Sequence, residues 1–166
     1  KYAIFGAPLD ITGTHRRGTG KGPASIRHES YTFEPFVPDL DVDLSEIPTC
    51  DLGDLPMKDP KREISETVKE ILDAGSVPIM LGGEHSVSPY AVAEFKDVSV
   101  LVFDAHLDYR EELKGDPNNH ACATMRMREV LRGKRILPVG IRSICKSEFV
   151  QAGNDQISGS EASMAA

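Results

Sequence analysis

The sequence predicts an α/β fold with three layers, α/β/α, and a mainly parallel central sheet. Three short and almost continuous apolar runs, at 77–81, 98–103 and 136–141, indicate strands that are buried on both faces. Segments with helical spacing separate these runs, and parallel strands need such crossovers. The chain has 166 residues, of which 40% are apolar, and this is enough for one packed domain at most.

The first third of the chain predicts a strand, a long loop and a helix. Residues 2–5 form a short apolar run, as expected of a buried strand. Residues 11–23 contain four glycines and few apolar side chains, which indicates a surface loop. Pro23 suits the first turn of a helix that we expect to continue to about Tyr31. The stretch 47–52 is compatible with an edge strand.

A second helix is predicted with clear ends. Asp59 can cap its start, Pro60 suits the first helical position, and Gly75 suits the residue that follows its end. Its apolar side chains recur with the spacing of one helix face: Ile64, Val68, Ile71 and Leu72. Two shorter helices are expected at 88–95 and 124–131. The last sixteen residues, 151–166, are mostly small or polar and predict a loose tail.

Composition and charge exclude several classes of protein. The net charge of −7 disfavours binding to nucleic acid through phosphate contacts, so small molecules or proteins are the expected partners. No apolar run approaches the roughly 20 residues that a membrane helix needs, and no leader pattern precedes the first strand, so a cytoplasmic location is expected. The three cysteines are odd in number and far apart, which predicts reduced thiols.

Candidate metal ligands follow two of the predicted strands. Asp104, His106 and Asp108 come directly after the run 98–103 and are spaced by two, so in extended backbone they would point to one side. His85 follows the run 77–81 in the same way. Ligand sites gather at the carboxyl ends of parallel strands, which favours a shared site. The alternative is that these polar residues only cap turns.

The types of these side chains indicate which metal and which reaction to expect. Two carboxylates and two imidazoles without a thiolate favour Mn²⁺ or a similar ion over structural zinc. Carboxylates that bridge two ions would make hydroxide available near neutral pH, and hydrolysis is the natural chemistry of such a centre. His120, in a polar loop, is able to carry a proton to a leaving amine, although an ordinary loop histidine is an equally good interpretation.

Four motifs together resemble the ureohydrolase family of arginases and agmatinases. The segments GGEHS at 82–86 and DAHLD at 104–108 carry most of the resemblance, and GTGKGPASIR at 18–27 and VGIR at 139–142 extend it. The match covers about 140 residues in the order of the family. The run 109–121 looks more like agmatinases of archaeal type than like arginases. Residues 1–150 are therefore interpreted as the N-terminal part of a single arginase-like α/β domain.

The resemblance implies a role for each candidate residue. His85 resembles the ligand of a first manganese ion, His106 that of a second, and Asp104 a carboxylate that bridges them. Asp108 is similar to an aspartate that binds the first ion and holds the bridging hydroxide, which attacks the guanidinium carbon. His120 and Asn119 correspond to the substrate loop, and His120 to a catalytic histidine. The implied reaction converts agmatine to putrescine and urea, a step of polyamine biosynthesis, in a homo-oligomer.

Two departures from the family pattern keep alternatives open. Asn119 stands where the family usually has serine, and the later S-x-D-x-D motif that supplies two more aspartates is absent from the sequence. The sequence is therefore expected to represent a truncated fold, and four ligands favour one weakly bound ion over two. A non-catalytic ureohydrolase-like domain with an oligomerisation or regulatory role is one alternative. A one-metal hydrolase with a different substrate is another.

Overall fold

A computed structural model describes residues 1–154, which divide into two compact units, Lys1–Tyr90 and a second unit from Ala91 onward. In chain order the elements are β1 (Tyr2–Ala7), α1 (Gly22–Ser30), β2 (Phe36–Val37), β3 (Val42–Asp43), β4 (Thr49–Asp54), α2 (Pro60–Asp73), β5 (Val77–Gly82), α3 (Ser88–Val92), β6 (Val100–Phe103), α4 (Ala123–Leu131), β7 (Ile136–Val139) and α5 (Lys146–Asn154). The predicted α/β class, with parallel strands alternating with helices, is confirmed.

The first unit is built on a three-stranded parallel sheet in the order β4, β1, β5. Strand β1 is central, and Ala3, Phe5 and Ala7 on one of its faces are buried. The predicted first strand and the predicted edge strand are therefore confirmed. Strands β2 and β3 form a separate two-stranded antiparallel ladder.

Helix α2 begins and ends where its sequence predicts. The Asp59 side chain accepts a hydrogen bond from the Arg62 backbone N–H at 3.3 Å, and Pro60 is the first helical residue. Ile64 and Val68 on its apolar face are almost fully buried. Gly75 follows the helix with a φ of 67°, a left-handed conformation that glycine adopts without steric cost.

The second unit contains strands β6 and β7, which pair in parallel with Val100 opposite Ile136. One cluster of buried side chains joins β6, β7 and α4: Val102, Met127, Leu131 and Ile136. A second cluster lies under the segment that follows β6: Leu107, Tyr109, Met125 and Ala152. This second cluster holds the predicted ligand segment against helices α4 and α5.

The prediction that 77–81 and 98–103 form strands buried on both faces is wrong for the described residues. Val102 is buried against α4, but Leu101 and Phe103 on the opposite face of β6 are 52% and 76% exposed. In β5, Val77 and Ile79 are also exposed. Neighbouring residues of a strand point to opposite faces, and within residues 1–154 only one face of β6 has a close-packed apolar neighbour.

The loose tail predicted for 151–166 is wrong for its first four residues. Residues 151–154 form the last turn of α5, and Ala152 is buried in the core of the second unit. The rest of the predicted tail, 155–166, lies outside the described residues. The single domain predicted for 1–150 stays a prediction.

Two expectations about composition can be compared with the described residues. None of the helices within 1–154 is long and apolar enough to cross a membrane. The three cysteines, Cys50, Cys122 and Cys145, are free, as predicted. Burial raises the pKa of the Cys122 thiol above its ordinary value.

An ion-pair cluster joins helix α1 to strand β4. Arg27 donates from Nε and Nη2 to the two carboxylate oxygens of Asp51 at 2.6 and 2.9 Å, and from Nη1 to Asp54. The hydrogen bonds from Arg27 hold the pKa of the Asp51 carboxyl below its ordinary value of 3.8. This contribution to the free energy of unfolding is therefore fully present above about pH 4 and is lost as the pH falls through the lowered pKa.

We expect Arg27→Lys to lower the free energy of unfolding by about 1 kcal/mol, because lysine cannot form the paired contacts that the planar guanidinium forms. Urea denaturation followed by circular dichroism at pH 7 measures the change. Arg62→Lys is the matched control, since Arg62 lies 3.7 Å from Asp59 with both side chains more than half exposed. Equal effects of the two substitutions would contradict the prediction.

Candidate metal centre

The segment after β6 carries Asp104 and His106. The Asp104 backbone N–H donates to the Val139 carbonyl at 3.1 Å, so the segment leaves the sheet beside β7. The Asp104 Oδ1 atom accepts a hydrogen bond from the His106 backbone N–H at 2.8 Å and lies 3.6 Å from His106 Nδ1. The structure therefore brings these two predicted ligands together, with the carboxylate partly buried and the His106 side chain 61% exposed.

The predicted alternation of Asp104, His106 and Asp108 along extended backbone is wrong. The strand ends at Phe103, the chain bends at Ala105, and Asp108 has a φ of 51°, in the left-handed region. Local hydrogen bonding causes the bend, because an Asp side chain that accepts from the N–H two residues later competes with extended structure. The bend does not separate the two carboxylates, because an oxygen of Asp104 and an oxygen of Asp108 lie within 4.8 Å of each other.

Asp108 is held by the helix that follows it. Its backbone carbonyl accepts hydrogen bonds from Thr124 N–H at 3.0 Å and Met125 N–H at 3.3 Å, near the start of α4. Helix starts leave N–H groups without partners inside the helix, and Asp108 satisfies two of them. Only 8% of Asp108 is exposed. The segment therefore presents a carboxylate on backbone that is fixed by main-chain contacts.

The turn that follows β7, at 140–143, packs against the other side of this segment. The N–H groups of Arg142 and Ser143 both donate to the Ala105 carbonyl at 2.9 Å. Gly140 has a φ of 88°, and a Cβ added there would lie 3.3 Å from the Asp104 carbonyl oxygen. The VGIR motif of the sequence is thus the turn against which the ligand segment packs.

His85 lies in the first unit, just after the carboxyl end of strand β5. Strand β5 ends at Gly82, and His85 begins a short 3-10 helix over His85–Val87, where it is half-buried. The predicted position of His85, at the carboxyl end of a parallel strand, is confirmed.

The residue before His85 has a structural task that sequence reasoning missed. Glu84 is buried, and its carboxylate accepts hydrogen bonds from Ile11 N–H at 3.1 Å and Thr12 N–H at 2.9 Å. It also accepts from the hydroxyls of Thr12 and Ser86 at 2.9 and 2.7 Å. Glu84 therefore ties the glycine-rich loop to the end of β5. A charged residue two positions after the end of an apolar strand was the available signal.

A second buried glutamate was also missed. Glu148 in α5 accepts hydrogen bonds from Tyr109 N–H and Cys145 N–H, each at 3.1 Å, and lies 3.7 Å from Arg110 Nε. One of these partners, Tyr109, directly follows Asp108 and lies 39 positions before Glu148 in the sequence. No local pattern relates these positions, and the helix that carries Glu148 was itself not predicted.

His120 and Asn119 lie at the start of another short helix. Asn119 is buried, and its Oδ1 atom accepts a hydrogen bond from Ala121 N–H at 3.2 Å, which caps the 3-10 helix over His120–Cys122. His120 is half-buried. The predicted polar loop is therefore ordered at this point by a side-chain cap. The role of both residues in substrate binding stays a prediction.

Each unit thus places candidate ligands where a parallel strand ends: Asp104, His106 and Asp108 after β6, and His85 after β5. Oxygen and imidazole donors of this kind suit a first-row ion such as Mn²⁺. Together, the fold and these side chains define an α/β protein with a candidate His/Asp metal site. The chain belongs to the arginase family, whose sequence model matches residues 1–163.

The relatives agree with the resemblance that the four motifs predict. The N(1)-aminopropylagmatine ureohydrolase of Thermococcus kodakarensis is 37% identical over 155 residues, which are 89% of this chain and 53% of that protein. The crystal structure of the agmatine ureohydrolase of Thermoplasma volcanium superposes with a TM-score of 0.89 at 35% identity, over 96% of this chain and 56% of that chain. The chain spans about half the length of the relatives it matches.

A more distant structure shares the fold. Trypanosoma cruzi formiminoglutamase, determined with Mn²⁺, superposes with a TM-score of 0.83 at 24% identity, over 94% of this chain and 58% of that chain. The predicted membership of the ureohydrolase family, with likeness to agmatinases of archaeal type and an arginase-like fold, is confirmed.

Proposed function

We propose that this chain acts as a Mn²⁺-dependent ureohydrolase that hydrolyses a linear guanidine, with agmatine as the preferred substrate. The observation that carries the proposal is the ligand segment after β6, where Asp104 and Asp108 are fixed by main-chain hydrogen bonds. Relatives that act on agmatine or on aminopropylagmatine support the substrate class. The products would be putrescine and urea.

We further propose that His85, Asp104 and Asp108 are metal ligands, the role that the resemblance to the arginase family implies. His106 is proposed as an additional ligand, since its imidazole adjoins the Asp104 carboxylate. Two carboxylates supply hard oxygen donors, and the histidines supply imidazole nitrogen, a mixture that suits Mn²⁺.

The residues of the chain have distinct tasks in this proposal. Bound Mn²⁺ supplies a Lewis acid and an activated water near neutral pH. Asp104 and Asp108 would hold the ion, and Asp108 would also accept a hydrogen bond from the attacking water. His120 donates a proton to the leaving amine. A guanidinium only donates hydrogen bonds, so Asn119 would have to use the second lone pair of the Oδ1 atom that already caps Ala121.

A non-catalytic role is the second candidate. In this case the chain would fold and associate without hydrolysing a guanidine. A one-metal hydrolase with another substrate is a third candidate. Cytoplasmic location and a homo-oligomeric state stay predictions.

Urea release by the purified chain tests the function directly. The assay supplies Mn²⁺ and compares agmatine with arginine and with N(1)-aminopropylagmatine, with a chelator-treated sample as the control. We expect release from agmatine to exceed release from arginine, and the chelator to abolish both. Metal binding without urea from any of the three substrates would contradict the hydrolase proposal and favour the non-catalytic one.

A further inference from the structure

We propose that Glu148 is a positioning residue for the metal ligand Asp108. The inference rests on the proposed metal centre, because it concerns how one of its ligands is held. Glu148 lies in α5, within the second unit, and its Oε1 atom accepts a hydrogen bond from the N–H of Tyr109. It therefore acts on Asp108 through the backbone and not by touching the metal.

The carboxylate of Glu148 is buried and depends on its hydrogen bonds with the protein. Only 6% of the residue is exposed, and a buried carboxylate is costly unless it is hydrogen-bonded. The Oε2 atom accepts from Cys145 N–H at 3.1 Å, as glutamates at the third position of a helix commonly do. That contact uses only one oxygen. The other oxygen accepts a hydrogen bond from Tyr109, which is far away in sequence. Capping of the helix does not require this second contact.

Three hydrogen bonds fix the peptide plane that follows Asp108. The carbonyl of Asp108 and the N–H of Tyr109 belong to the same planar peptide group. Helix α4 holds the carbonyl through Thr124 and Met125, and Glu148 of helix α5 holds the N–H. A peptide plane that is anchored at both its oxygen and its nitrogen cannot rotate about ψ of Asp108 without breaking hydrogen bonds.

This anchoring is significant because Asp108 has a left-handed backbone. A φ of 51° is uncommon for a residue other than glycine and persists when surrounding contacts hold it. Rotation of the plane would move the Cα–Cβ bond and carry the carboxylate away from its present place. Metal ligands must lie within a few tenths of an ångström of their ideal distances, so such a movement would weaken binding.

The test compares Glu148 with a glutamate in the first unit that also accepts backbone hydrogen bonds near the start of a helix. Glu63 near the start of α2 accepts backbone hydrogen bonds from Met57, Lys58 and Asp59 at 2.7 to 3.0 Å, and it provides the matched control. We would prepare Glu148→Ala, Glu148→Gln, Glu63→Ala and Glu63→Gln. The glutamine variants keep shape and one acceptor, so they remain informative if the alanine variants fail to fold.

Two measurements separate positioning from a merely structural role. Titration with Mn²⁺, followed by the electron paramagnetic resonance of the free ion, gives the dissociation constant. Hydrogen exchange of the metal-free protein reports whether the peptide over 105–110 is loosened. We expect about 10- to 100-fold weaker Mn²⁺ binding for Glu148→Ala, a smaller loss for Glu148→Gln, and faster exchange over 105–110 in both. The Glu63 variants should leave the Mn²⁺ affinity unchanged.

Each other outcome overturns a stated part of the proposal. Faster exchange over 105–110 with unchanged Mn²⁺ affinity would make Glu148 a purely structural residue. Equal losses of affinity in the Glu148 and Glu63 variants would show a general effect of destabilisation. If the unsubstituted chain binds no Mn²⁺, the metal centre itself is overturned and the positioning role with it, which distinguishes that failure from the first two.

Discussion

Replacing Asp108 by asparagine should weaken Mn²⁺ binding by at least about 100-fold, beyond the upper end of the effect of losing a residue that only supports a ligand. Asparagine has nearly the shape of aspartate and tolerates the left-handed backbone at this position, with its φ of 51°. The substitution therefore removes a charged oxygen donor and leaves the segment in place. Titration with Mn²⁺ measures the dissociation constant, and circular dichroism checks that the fold is retained.

Asp97→Asn is the matched control for this change. Asp97 lies in the same unit, pairs with Lys134 and is 81% exposed, so its substitution removes one negative charge away from the ligand segment. A general loss of negative charge would weaken binding equally in both variants. An unchanged Mn²⁺ affinity in Asp108→Asn would remove Asp108 from the set of ligands.

Replacing Gly83 by alanine should lower the free energy of unfolding by about 3 kcal/mol, at the upper end of the usual cost of overpacking. A Cβ at this position would lie 2.1 Å from the carbonyl oxygen of Leu9 and 2.8 Å from its nitrogen. Both are backbone atoms, and the N–H groups of Gly83 and Glu84 donate to the carbonyls of Ala7 and Leu9 at 2.9 Å. The clash cannot be relieved by turning a side chain. Urea denaturation measures the loss.

Gly153→Ala provides the control for this substitution. Gly153 lies in helix α5, and a Cβ there meets no atom within 4 Å among the described residues. Because alanine favours helix by about 1 kcal/mol over glycine, the control should be neutral or slightly stabilising. A loss in Gly83→Ala no larger than that in the control would show that the close approach to Leu9 does not constrain the chain.

The sequence predicted those parts of the fold that depend on neighbouring residues. Asp59, Pro60 and Gly75 mark the ends of α2 through local capping and backbone preferences, and the structure confirms them. The strands β1, β5 and β6 follow from apolar runs that end at glycine or aspartate, and β7 covers the first four residues of the predicted run 136–141. The positions of His85 and Asp104 at the ends of parallel strands follow from the same pattern.

The features that were missed or mistaken depend on contacts between distant residues. The hydrogen bond from Tyr109 to Glu148 spans 39 positions, and the contacts of Glu84 with Ile11 and Thr12 span more than 70. No periodicity encodes such pairs. The bend at Ala105 arises from a local competition, in which the Asp104 side chain captures the N–H of His106, and a spacing rule for extended strands cannot detect it.

The exposed face of β6 shows a different limit of sequence patterns. An unbroken apolar run predicts that both faces are covered, yet Leu101 and Phe103 are more than half exposed within the described residues. An apolar run shows that each side chain is apolar. It does not show which residues of the folded chain pack against those side chains.

The most direct test of the account is the Mn²⁺ content of the purified chain, measured by elemental analysis after dialysis against micromolar Mn²⁺. The proposed metal centre has its carboxylate ligands, Asp104 and Asp108, in the segment after β6. It predicts about one ion per unsubstituted chain, and almost none in Asp108→Asn, because that substitution removes a charged oxygen donor. Retention of the ion in Asp108→Asn, or its absence from the unsubstituted chain, would contradict the proposed metal centre.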